Sequence, residues 1–460
     1  MPRRTEFLLV NPPREIPQSA DFPPVGLAYI SAILKANGIK ARTLDASSFS
    51  WKKLAKTIKD ENPLIVGIPC WTVERGQSFK LARIVKKILP TTKIIIGGHH
   101  ATAFPEHMFR LAYADAVAIG EGEITTVELA KTVLNGGNPA EIRAIAYKDD
   151  GKVIITQPRD FIADLDVIPF PDYGDFNLDR YLGLPEIRGR AAAIITSRGC
   201  PYRCIFCSAS KFWNRKWRAR SAENIVDEIE WLYTDHRVGA FMFFDDNFTV
   251  SKERAIRICR RILERGLHIS WVACSHVSQV DEELLGWMKE AGCYRIDYGV
   301  ESGSPKVLRN IKKGQTVEQI EQAFRLTHKA GIKPRAYLMV GNPGEDEVTI
   351  EETVALMRKI KPLNACSGQI LWVLPDTEIY DLARSDGLIS DEYWLKNDSM
   401  VYYTAEHNVE ELIFLREKMM KGLAKNKGNL NAYAKYLIRE MYYKYPVLQK
   451  LRKWRPTGSF

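Results

Sequence analysis

The chain has 460 residues, more than one ordinary hydrophobic core accommodates, so we expect two or three domains. Its composition is that of a globular protein, with 45% hydrophobic residues, and no apolar run approaches the roughly 20 residues that span a bilayer. The formal net charge of +10 is spread along the chain without a nucleic-acid-binding motif, so it does not by itself indicate nucleic-acid binding.

The first third of the chain alternates short apolar runs with amphipathic stretches. Apolar strands are predicted at 7–10, 64–68, 93–97 and 116–119, with helices at 25–37, 77–89 and 126–135. Continuous apolar strands separated by helices indicate a doubly wound parallel sheet, which we expect over residues 1–150. Such sheets bind ligands at the carboxyl ends of their strands. The unusual residues of this segment fall there, in the runs 11–13, 69–72, 97–102 and 120–123.

A second region of alternating strands and helices follows a predicted linker at 151–188. Strands are predicted at 191–196, 240–244, 269–272, 294–298, 335–340 and 367–371. About six such units indicate a partial or full parallel βα barrel over 189–390, with its active site at the carboxyl ends of the strands. The remainder, 391–460, is predicted to be a small helical region. Its basic, tyrosine-rich part at 416–455 could bind a protein, a lipid headgroup or nucleic acid, or pack as a helical cap.

Three cysteines stand directly after the first predicted barrel strand, at Cys200, Cys204 and Cys207. Three thiols in so short a loop can close on one metal centre. A mononuclear zinc site or a simple cubane cluster would need a fourth protein ligand, and no other cysteine lies nearby in the sequence. Three cysteines on a four-iron cluster would leave one iron open to a substrate or cofactor. A zinc knuckle that lacks its fourth ligand is the alternative.

The Cys-x3-Cys-x2-Cys spacing, with Phe206 before the last cysteine, resembles the radical S-adenosylmethionine (SAM) superfamily. The resemblance implies a [4Fe-4S] cluster on the three cysteines, whose open iron binds the amino and carboxylate groups of SAM. One electron then cleaves SAM into methionine and a 5′-deoxyadenosyl radical, which removes hydrogen from an unreactive carbon. A cluster of this kind would not survive oxidising export, and the chain begins without a secretory signal, so we expect a cytoplasmic protein.

The resemblance also implies SAM-binding side chains at the later barrel strand ends. The residues concerned are Phe206, Asp245, Asp246, Glu301, Ser302, Arg335 and Gly341. Other interpretations stay open for several of them. The two aspartates are typical of a polar turn with a helix cap, Glu301 could form a structural ion pair, and the Gly-Asn-Pro-Gly run at 341–344 is typical of a tight turn.

The front segment resembles the cobalamin-binding domain that precedes the barrel in one radical SAM subfamily. The runs at 22–34, 97–102 and 120–123 carry this likeness in kind and in order. It implies that cobalamin contacts Pro12, Thr72, Gly97, Gly98, His100, Ala101, Gly120, Glu121 and Gly122. The Asp-x-His-x-x-Gly run that usually supplies a histidine to cobalt is absent from the sequence. We therefore predict that no histidine of that motif binds the lower face of the metal, where water, another side chain or no ligand remains open.

The two modules together imply methyl transfer. One SAM would methylate cobalt, a second would generate the radical, and the substrate radical would take the methyl group from methylcobalamin. We expect a methyltransferase that acts on a carbon centre, with a phosphorus centre as the alternative. We expect the substrate to be a protein or peptide side chain, because the basic tail could hold an acidic partner. The layout resembles archaeal enzymes that methylate methyl-coenzyme M reductase, including a glutamine C-methyltransferase.

An electron donor such as ferredoxin or flavodoxin is also expected. The main alternative is a cobalamin-dependent cyclase or ring-rearranging enzyme acting on a small molecule. A methylthiotransferase would need a further cysteine-bearing front domain, and this front segment offers only Cys70. A noncatalytic cobalamin carrier or electron-transfer protein is the remaining alternative.

Overall fold

The computed structural model describes residues 5–14, 20–184, 186–187, 189–363 and 365–424. The basic, tyrosine-rich segment at 416–455 therefore lies mostly outside the described residues. None of the helices in the described ranges is long and apolar enough to cross a membrane.

The front domain is built on a seven-stranded sheet in the order β2-β1-β3-β4-β5-β6-β7. The first five strands are parallel, and the last two form an antiparallel edge. The strands are β1 (Phe7–Asn11), β2 (Ala41–Asp45), β3 (Ile65–Pro69), β4 (Lys93–Gly97), β5 (Ala116–Ala118), β6 (Ile145–Asp149) and β7 (Lys152–Ile155). The helices are α1 (Val25–Ala36), α2 (Trp51–Glu61), α3 (Arg75–Ile88), α4 (His99–Ala103), α5 (Pro105–Leu111) and α6 (Gly122–Asn135).

Helices cover both faces of this sheet, and β1 explains why its residues are apolar without a break. Leu8 and Val10 enter the core beneath α2, α3 and α5. Phe7 and Leu9, which alternate with them, enter the core beneath α1 and α6. Successive side chains of a strand point to opposite faces, so a strand covered on both sides must be apolar throughout. The predicted doubly wound sheet is confirmed.

Two features of the front domain differ from the sequence interpretation. The edge strand β2 was not predicted, because its buried and exposed residues alternate and it lacks an apolar run. The antiparallel hairpin β6–β7 was not predicted either, and β7 occupies the first part of the segment assigned to the linker. Its residues are mostly exposed, which removes the apolar signal of a buried strand.

The second domain is an open half-barrel of six parallel strands that neighbour one another in chain order, and it confirms the predicted partial barrel. A short antiparallel pair, β9–β10, flanks its first strand. The strands are β8 (Arg190–Ile194), β9 (Ser197–Arg198), β10 (Arg218–Ala219), β11 (Val238–Phe243), β12 (Ser270–Ser275), β13 (Cys293–Glu301), β14 (Lys333–Val340) and β15 (Ala365–Ile370). The helices are α7 (Ser208–Phe212), α8 (Ala222–Asp235), α9 (Lys252–Glu264), α10 (Glu282–Glu290), α11 (Pro305–Asn310), α12 (Val317–Lys329), α13 (Glu347–Ile360) and α14 (Glu378–Ser385).

The first strands of the half-barrel carry aromatic side chains on the outer face and several alanines on the inner face. Outward-facing Phe243 of β11 and Trp271 of β12 stack with ring centroids 4.8 Å apart in the main core beneath the helices. The inner face carries Ala191 and Ala193 on β8 and Ala240 on β11. The small inward side chains of β8 leave space inside the half-barrel, although larger ones, among them Met242 and Arg295, also border that space.

The last described region consists of α15 (Tyr393–Lys396) and α16 (Val409–Ala424). Helix α16 lies across α13 and the edge strand β15. Gly422 permits this approach, because a Cβ atom there would lie 2.8 Å from a methyl group of Val354. Lys418 adds ion pairs of 2.7 Å to Glu347 and to Glu351 on α13. The helix thus covers the open edge of the half-barrel, which would otherwise expose unpaired backbone groups.

Candidate active site between the two sheets

The carboxyl ends of the front-sheet strands face the half-barrel across a cavity of about 1000 Å³. A doubly wound sheet and a βα barrel both bind ligands at the carboxyl ends of their strands, and here one cavity serves both. From the front domain it is lined by Asn11, Pro12, Pro69, Trp71, Gly97, Gly98, His99, Gly120, Glu121 and Gly122, among others. From the half-barrel it is lined by Ser197, Arg198, Ser208, Phe212, Met242, Asp246, Arg295, Asp297, Arg335 and Tyr337, among others.

The cysteine loop begins at the end of β9, and a glycine allows its first turn. Gly199 has a φ of +88°, and a Cβ atom there would collide with the carbonyl oxygen of Lys216. Further along the loop, the backbone N–H of Cys207 donates to the carbonyl oxygen of Cys204 at 3.2 Å. Burial raises the pKa of the Cys200 and Cys207 thiols to about 11. Iron would favour the thiolate form against this effect of burial.

The donor set of this loop fits an iron–sulfur cube better than a single ion. Across the described ranges, no group of three or more His, Cys, Asp or Glu side chains is arranged to hold one metal ion. A zinc knuckle needs ligands that converge on one ion, whereas in a cube each thiolate binds a different iron. The Lys313 ammonium interacts electrostatically with all three thiols and would offset part of their negative charge.

Glu301 ends β13 in a left-handed backbone conformation, with a φ of +63°. Its carboxylate accepts a hydrogen bond of 2.8 Å from Lys313 Nζ, which lies 5.7 Å from the centroid of the Phe206 ring. Burial alone would lower the pKa of Lys313, but Glu301 and Cys204 outweigh it and raise that pKa. Strained backbone conformations are concentrated at functional sites. The structure thus places Glu301 and Phe206 beside the cysteines and adds Lys313, which no sequence motif had indicated.

The two neighbouring aspartates after β11 have different surroundings. Asp245 is buried, and its carboxylate accepts from the backbone N–H groups of Thr196 (2.7 Å) and Ser197 (3.0 Å) and from the Thr196 hydroxyl. Asp246 lines the cavity and accepts from the N–H of Gly199 at 3.1 Å. Burial raises the pKa of Asp246 to about 6. Asp245 therefore anchors the approach to the cysteine loop, and Asp246 is the aspartate of the pair that a cavity ligand can reach.

Arg335 belongs to a charged cluster on the cavity wall of the half-barrel, which we call the barrel network (Glu186, Arg295, Asp297 and Arg335). Glu186 bridges both arginines, with 2.6 Å to Arg295 Nη1 and 2.8 Å to Arg335 Nη2. Arg295 also donates to Asp297 at 2.7 and 3.2 Å. The sequence interpretation had singled out only Arg335, because no local pattern connects it with Glu186, which lies 149 residues earlier.

The other two predicted SAM contacts lie in the backbone turns after β13 and β14. The Ser302 hydroxyl is fully buried against the hydroxyl of Thr353 at 3.2 Å. Gly341 has a φ of +86°, and its N–H donates to Glu345 at 2.5 Å. Burial raises the pKa of Glu345 to about 7. Neither residue lines the cavity in this structure, so a contact with SAM remains a prediction for both.

The structure brings most of the predicted cobalamin residues to the cavity, but not Thr72, His100 and Ala101. The buried His100 shares a hydrogen bond of 3.2 Å with the Thr72 hydroxyl and faces Trp394, away from the cavity. His99 lies at the cavity instead, stacked between Trp71 (4.7 Å) and Phe212 (4.0 Å). Both histidines are in α4, where successive side chains point in directions about 100° apart. Burial lowers the pKa of His99 to about 4.

Glu121 lines the cavity, but its carboxylate is engaged in a set of ion pairs between the domains. We call this set the interdomain network (Glu121, Glu123, Arg198 and Arg218). Glu121 pairs with Arg198 at 2.6 Å and with Arg218 at 3.0 Å, while Glu123 pairs with Arg198. Since Arg198 and Arg218 belong to the β9–β10 pair beside the cysteine loop, the network ties the front domain to that loop. Gly120 and Gly122 leave the adjoining backbone open to the cavity.

Two further observations fit a ligand in this cavity. Ser197 lines the cavity, and its buried hydroxyl has no hydrogen-bond partner among the described residues. Buried polar groups are normally satisfied, so a bound molecule would supply the missing partner. Gly98 has a φ of +105°, and a Cβ atom there would lie 3.0 Å from the carbonyl oxygen of Cys70. The wall here is therefore bare backbone, which suits the close approach of a broad ligand.

Comparison with known families agrees with both halves of this site. Residues 194–357 match the family described as the radical SAM superfamily, and residues 19–130 match the B12 binding domain. An uncharacterized methyltransferase of Pyrococcus horikoshii is 32% identical over 95% of this chain and 95% of its own. The anaerobic magnesium-protoporphyrin IX monomethyl ester cyclase of Rubrivivax gelatinosus is 32% identical over 75% of this chain and 63% of its own.

A solved structure shares the fold. The radical SAM methyltransferase TsrM of Kitasatospora setae, determined with tryptophan substrate and a SAM analogue, superposes with a TM-score of 0.71. The match covers 82% of this chain and 76% of TsrM, at 21% sequence identity. At that identity the likeness shows the fold alone, namely a front α/β domain followed by a half-barrel.

Proposed function

Because the chain belongs to the cobalamin-binding radical SAM enzymes, we propose that it transfers a methyl group to an unactivated carbon atom of its substrate. The observation that carries this proposal is the single cavity lined by the strand ends of both domains. A methyl donor held by the front sheet and a radical source held beside the cysteines would face the same space. A substrate between them could lose a hydrogen atom and receive a methyl group without leaving the site.

The cluster, SAM and cobalamin would supply the reducing electron, the hydrogen-abstracting radical and the methyl group, which are chemistries that amino-acid side chains lack. The protein positions these groups. Cys200, Cys204 and Cys207 would hold the cluster, and Asp246 lies where it could accept hydrogen bonds from the amino group of SAM. Gly97, Gly98, Gly120 and Gly122 would let cobalamin approach the strand ends of the front sheet.

The substrate would enter against the barrel network, which presents charged side chains to the cavity from β13 and β14. Arg335 and Tyr337 line this wall, and the Tyr337 hydroxyl donates to Asp297 at 3.2 Å. A cavity wall with a few fixed polar groups orients a ligand. A substrate with its own polar group is therefore expected. The proposal that it is a protein or peptide rests on the basic segment at 416–455, most of which lies outside the described residues.

A cobalamin-dependent cyclase is the second candidate, and the observation that favours it is the similarity to the cyclase of Rubrivivax gelatinosus. Methyl transfer is the stronger proposal, because the relative that matches almost the full length of both chains is named a methyltransferase.

The two candidates predict different co-products. The protein would be reconstituted anaerobically with iron, sulfide and cobalamin, then supplied with methyl-labelled SAM, a reductant and candidate substrates. Methyl transfer requires S-adenosylhomocysteine and 5′-deoxyadenosine in equal amounts, with the label in the product. Cyclisation requires deoxyadenosine without matching S-adenosylhomocysteine. The triple variant C200A/C204A/C207A is the control and should form no deoxyadenosine. If that variant still cleaves SAM, the assignment of the cysteine loop is wrong.

A further inference from the structure

A second depression lies against the cysteine loop and shares no lining residue with the cavity. We call it the basic groove and define it by Tyr202, Arg203, Arg309, Lys312 and Gln315. It has a volume of about 650 Å³ and is open to solvent. The cavity meets the chain on either side of the loop, at Ser197 and Ser208, whereas the groove meets Tyr202 and Arg203 within the loop itself. The cysteines therefore lie between two separate surfaces.

The groove is positively charged, and its arginines are available to a partner. Arg203 and Arg309 are exposed and form no ion pair or hydrogen bond through their side chains with any described residue. Lys312 is also exposed and pairs with Glu378 at 2.5 Å. No aspartate or glutamate is among the described residues that line the groove. An acidic surface could thus pair with both arginines without breaking an existing ion pair.

Tyr202 connects this surface with the cysteines. It lies between Cys200 and Cys204 in the chain, and its ring stacks on His276 with a centroid separation of 3.9 Å. Its hydroxyl shares a hydrogen bond of 3.0 Å with Ser278. Gly314 also packs close to this ring, because a Cβ atom there would lie 3.3 Å from it. The floor of the groove is therefore a fixed aromatic ring directly beside two cluster-binding residues.

We infer that the basic groove is the docking site of the protein that reduces the cluster, a one-electron carrier with an acidic surface. One electron leaves the carrier, which is oxidised, and enters the iron–sulfur group at the cysteine loop, which is reduced; no atom or proton is transferred. The cavity cannot serve this purpose, because SAM, cobalamin and the substrate would fill it. Docking on the other side of the loop allows reduction while the cavity is occupied.

Electrostatic attraction is the physical reason for assigning an acidic carrier to the basic groove. Complementary charge accelerates protein association by about 10-fold to 1000-fold at low salt, and screening removes the gain at high salt. A carrier protein must bind briefly and leave again, for which an open charged surface is suited better than a deep apolar one.

The test compares two reductants of the reconstituted holoenzyme, reduced flavodoxin and sodium dithionite. The charge-reversal variant is R203E/R309E, and the matched control is K52E/K56E. Lys52 and Lys56 are exposed on α2, without a side-chain partner among the described residues. Both variants change the net charge equally. Rapid-freeze-quench EPR would follow formation of the reduced cluster. The readout is electron transfer, so a failure of the methyl-transfer proposal would not affect it.

We expect R203E/R309E to lower the second-order rate constant with flavodoxin by about 10-fold or more at low salt. Reduction by dithionite and the iron content should change little, and K52E/K56E should behave as the unmodified protein. Three results would overturn the inference: an unchanged flavodoxin rate, equal slowing by both double variants, or equal slowing with both reductants. If R203E alone loses iron because it adjoins Cys204, R309E decides the matter, since Arg309 lies on α11.

Discussion

The interdomain network and the barrel network use the same side chains, two arginines and two carboxylates each, but differ in how they meet the cavity. In the interdomain network the Glu121 and Glu123 side chains are 5% and 6% exposed, and Glu121 also accepts from the backbone N–H of Ile162 at 2.7 Å. In the barrel network the bridging Glu186 is 22% exposed and Arg335 16% exposed. We call the first network sealed, because its carboxylates are almost fully buried although they border the cavity. We call the second network open, because Glu186 and Arg335 are partly exposed although Arg295 and Asp297 are buried.

The two networks therefore have different expected roles, although they are built from the same kinds of side chain. A sealed network holds the distance between the front sheet and the cysteine loop, because moving either part would leave buried charges unpaired. An open network can exchange partners when a ligand arrives. We therefore expect substitutions in the first to change stability and cofactor retention, and substitutions in the second to change ligand handling.

The largest expected effect is that of E121A. Removing this carboxylate leaves Arg218 without its ion pair, although it keeps a hydrogen bond to the carbonyl oxygen of Ile162 and cation–π contacts with Phe161 and Trp213. It also weakens the hold on Arg198. Breaking a buried ion pair by deleting one partner costs about 3–5 kcal/mol. Urea titration followed by tryptophan fluorescence should register this loss, and the cobalamin content after reconstitution should fall. E121Q keeps one of the two acceptor oxygens and should lose less.

The control for E121A is E392A, which removes an interdomain ion pair of 3.0 Å with Arg110 whose side chains are both more than half exposed. Exposed pairs of this kind contribute little to stability, because water and salt screen the two charges. Equal destabilisation by E121A and E392A would contradict the view that the interdomain network is a sealed clamp.

Asp245 and Asp246 repeat the same contrast on a smaller scale and allow a matched pair of substitutions. D245N replaces an oxygen that accepts hydrogen bonds with an amide that cannot, so a buried donor of Thr196 or Ser197 loses its partner, at a cost of about 1–3 kcal/mol. We expect a lower iron content for D245N. D246N should keep the iron but bind SAM about 10-fold more weakly, as expected for loss of a charged hydrogen bond. Iron analysis measures the first effect, and equilibrium dialysis with SAM measures the second. Identical behaviour of the two variants would contradict the different roles given to Asp245 and Asp246.

R335M is expected to have only a small effect on stability, because Arg295 still pairs with both Glu186 and Asp297. A loss of about 1 kcal/mol is expected for a partly exposed hydrogen-bonding group. Cluster, cobalamin and SAM binding should be retained, while conversion of the substrate should be impaired. SAM binding weakened about 10-fold or more, corresponding to about 1.4 kcal/mol, would instead assign Arg335 to SAM, as the sequence had predicted.

Local patterns in the sequence predicted the features that depend on neighbouring residues, such as the buried strands and the cysteine loop. Strand β4 was predicted with the bounds that it has, because its apolar run ends at a glycine pair. The cysteine loop was assigned to a cluster from its spacing and from the aromatic residue Phe206, and the roles of the three cysteines stay a prediction. The sequence left open whether Glu301 binds SAM or forms a structural ion pair. Its hydrogen bond to Lys313 supports the ion pair and does not exclude a ligand nearby.

Contacts between residues that are far apart in the chain could not be predicted from the sequence. Glu121 was assigned to cobalamin because it lies at a strand end, yet its partner Arg218 is 97 residues away in the chain. His100 was preferred over His99, although the orientation of α4 turns His99 towards the cavity. The polar edge strand β2 carried too few apolar residues to be predicted. Each of these depends on which elements pack together, and a single sequence does not encode that in any local pattern.

The measurement that tests the central claim most directly is the ratio of S-adenosylhomocysteine to 5′-deoxyadenosine formed in the presence of the substrate. The account predicts equal amounts, with the methyl group of SAM recovered in the product, because both SAM-dependent steps serve one cavity. Deoxyadenosine formed in large excess, together with an unlabelled but converted product, would contradict methyl transfer and support the cyclase alternative.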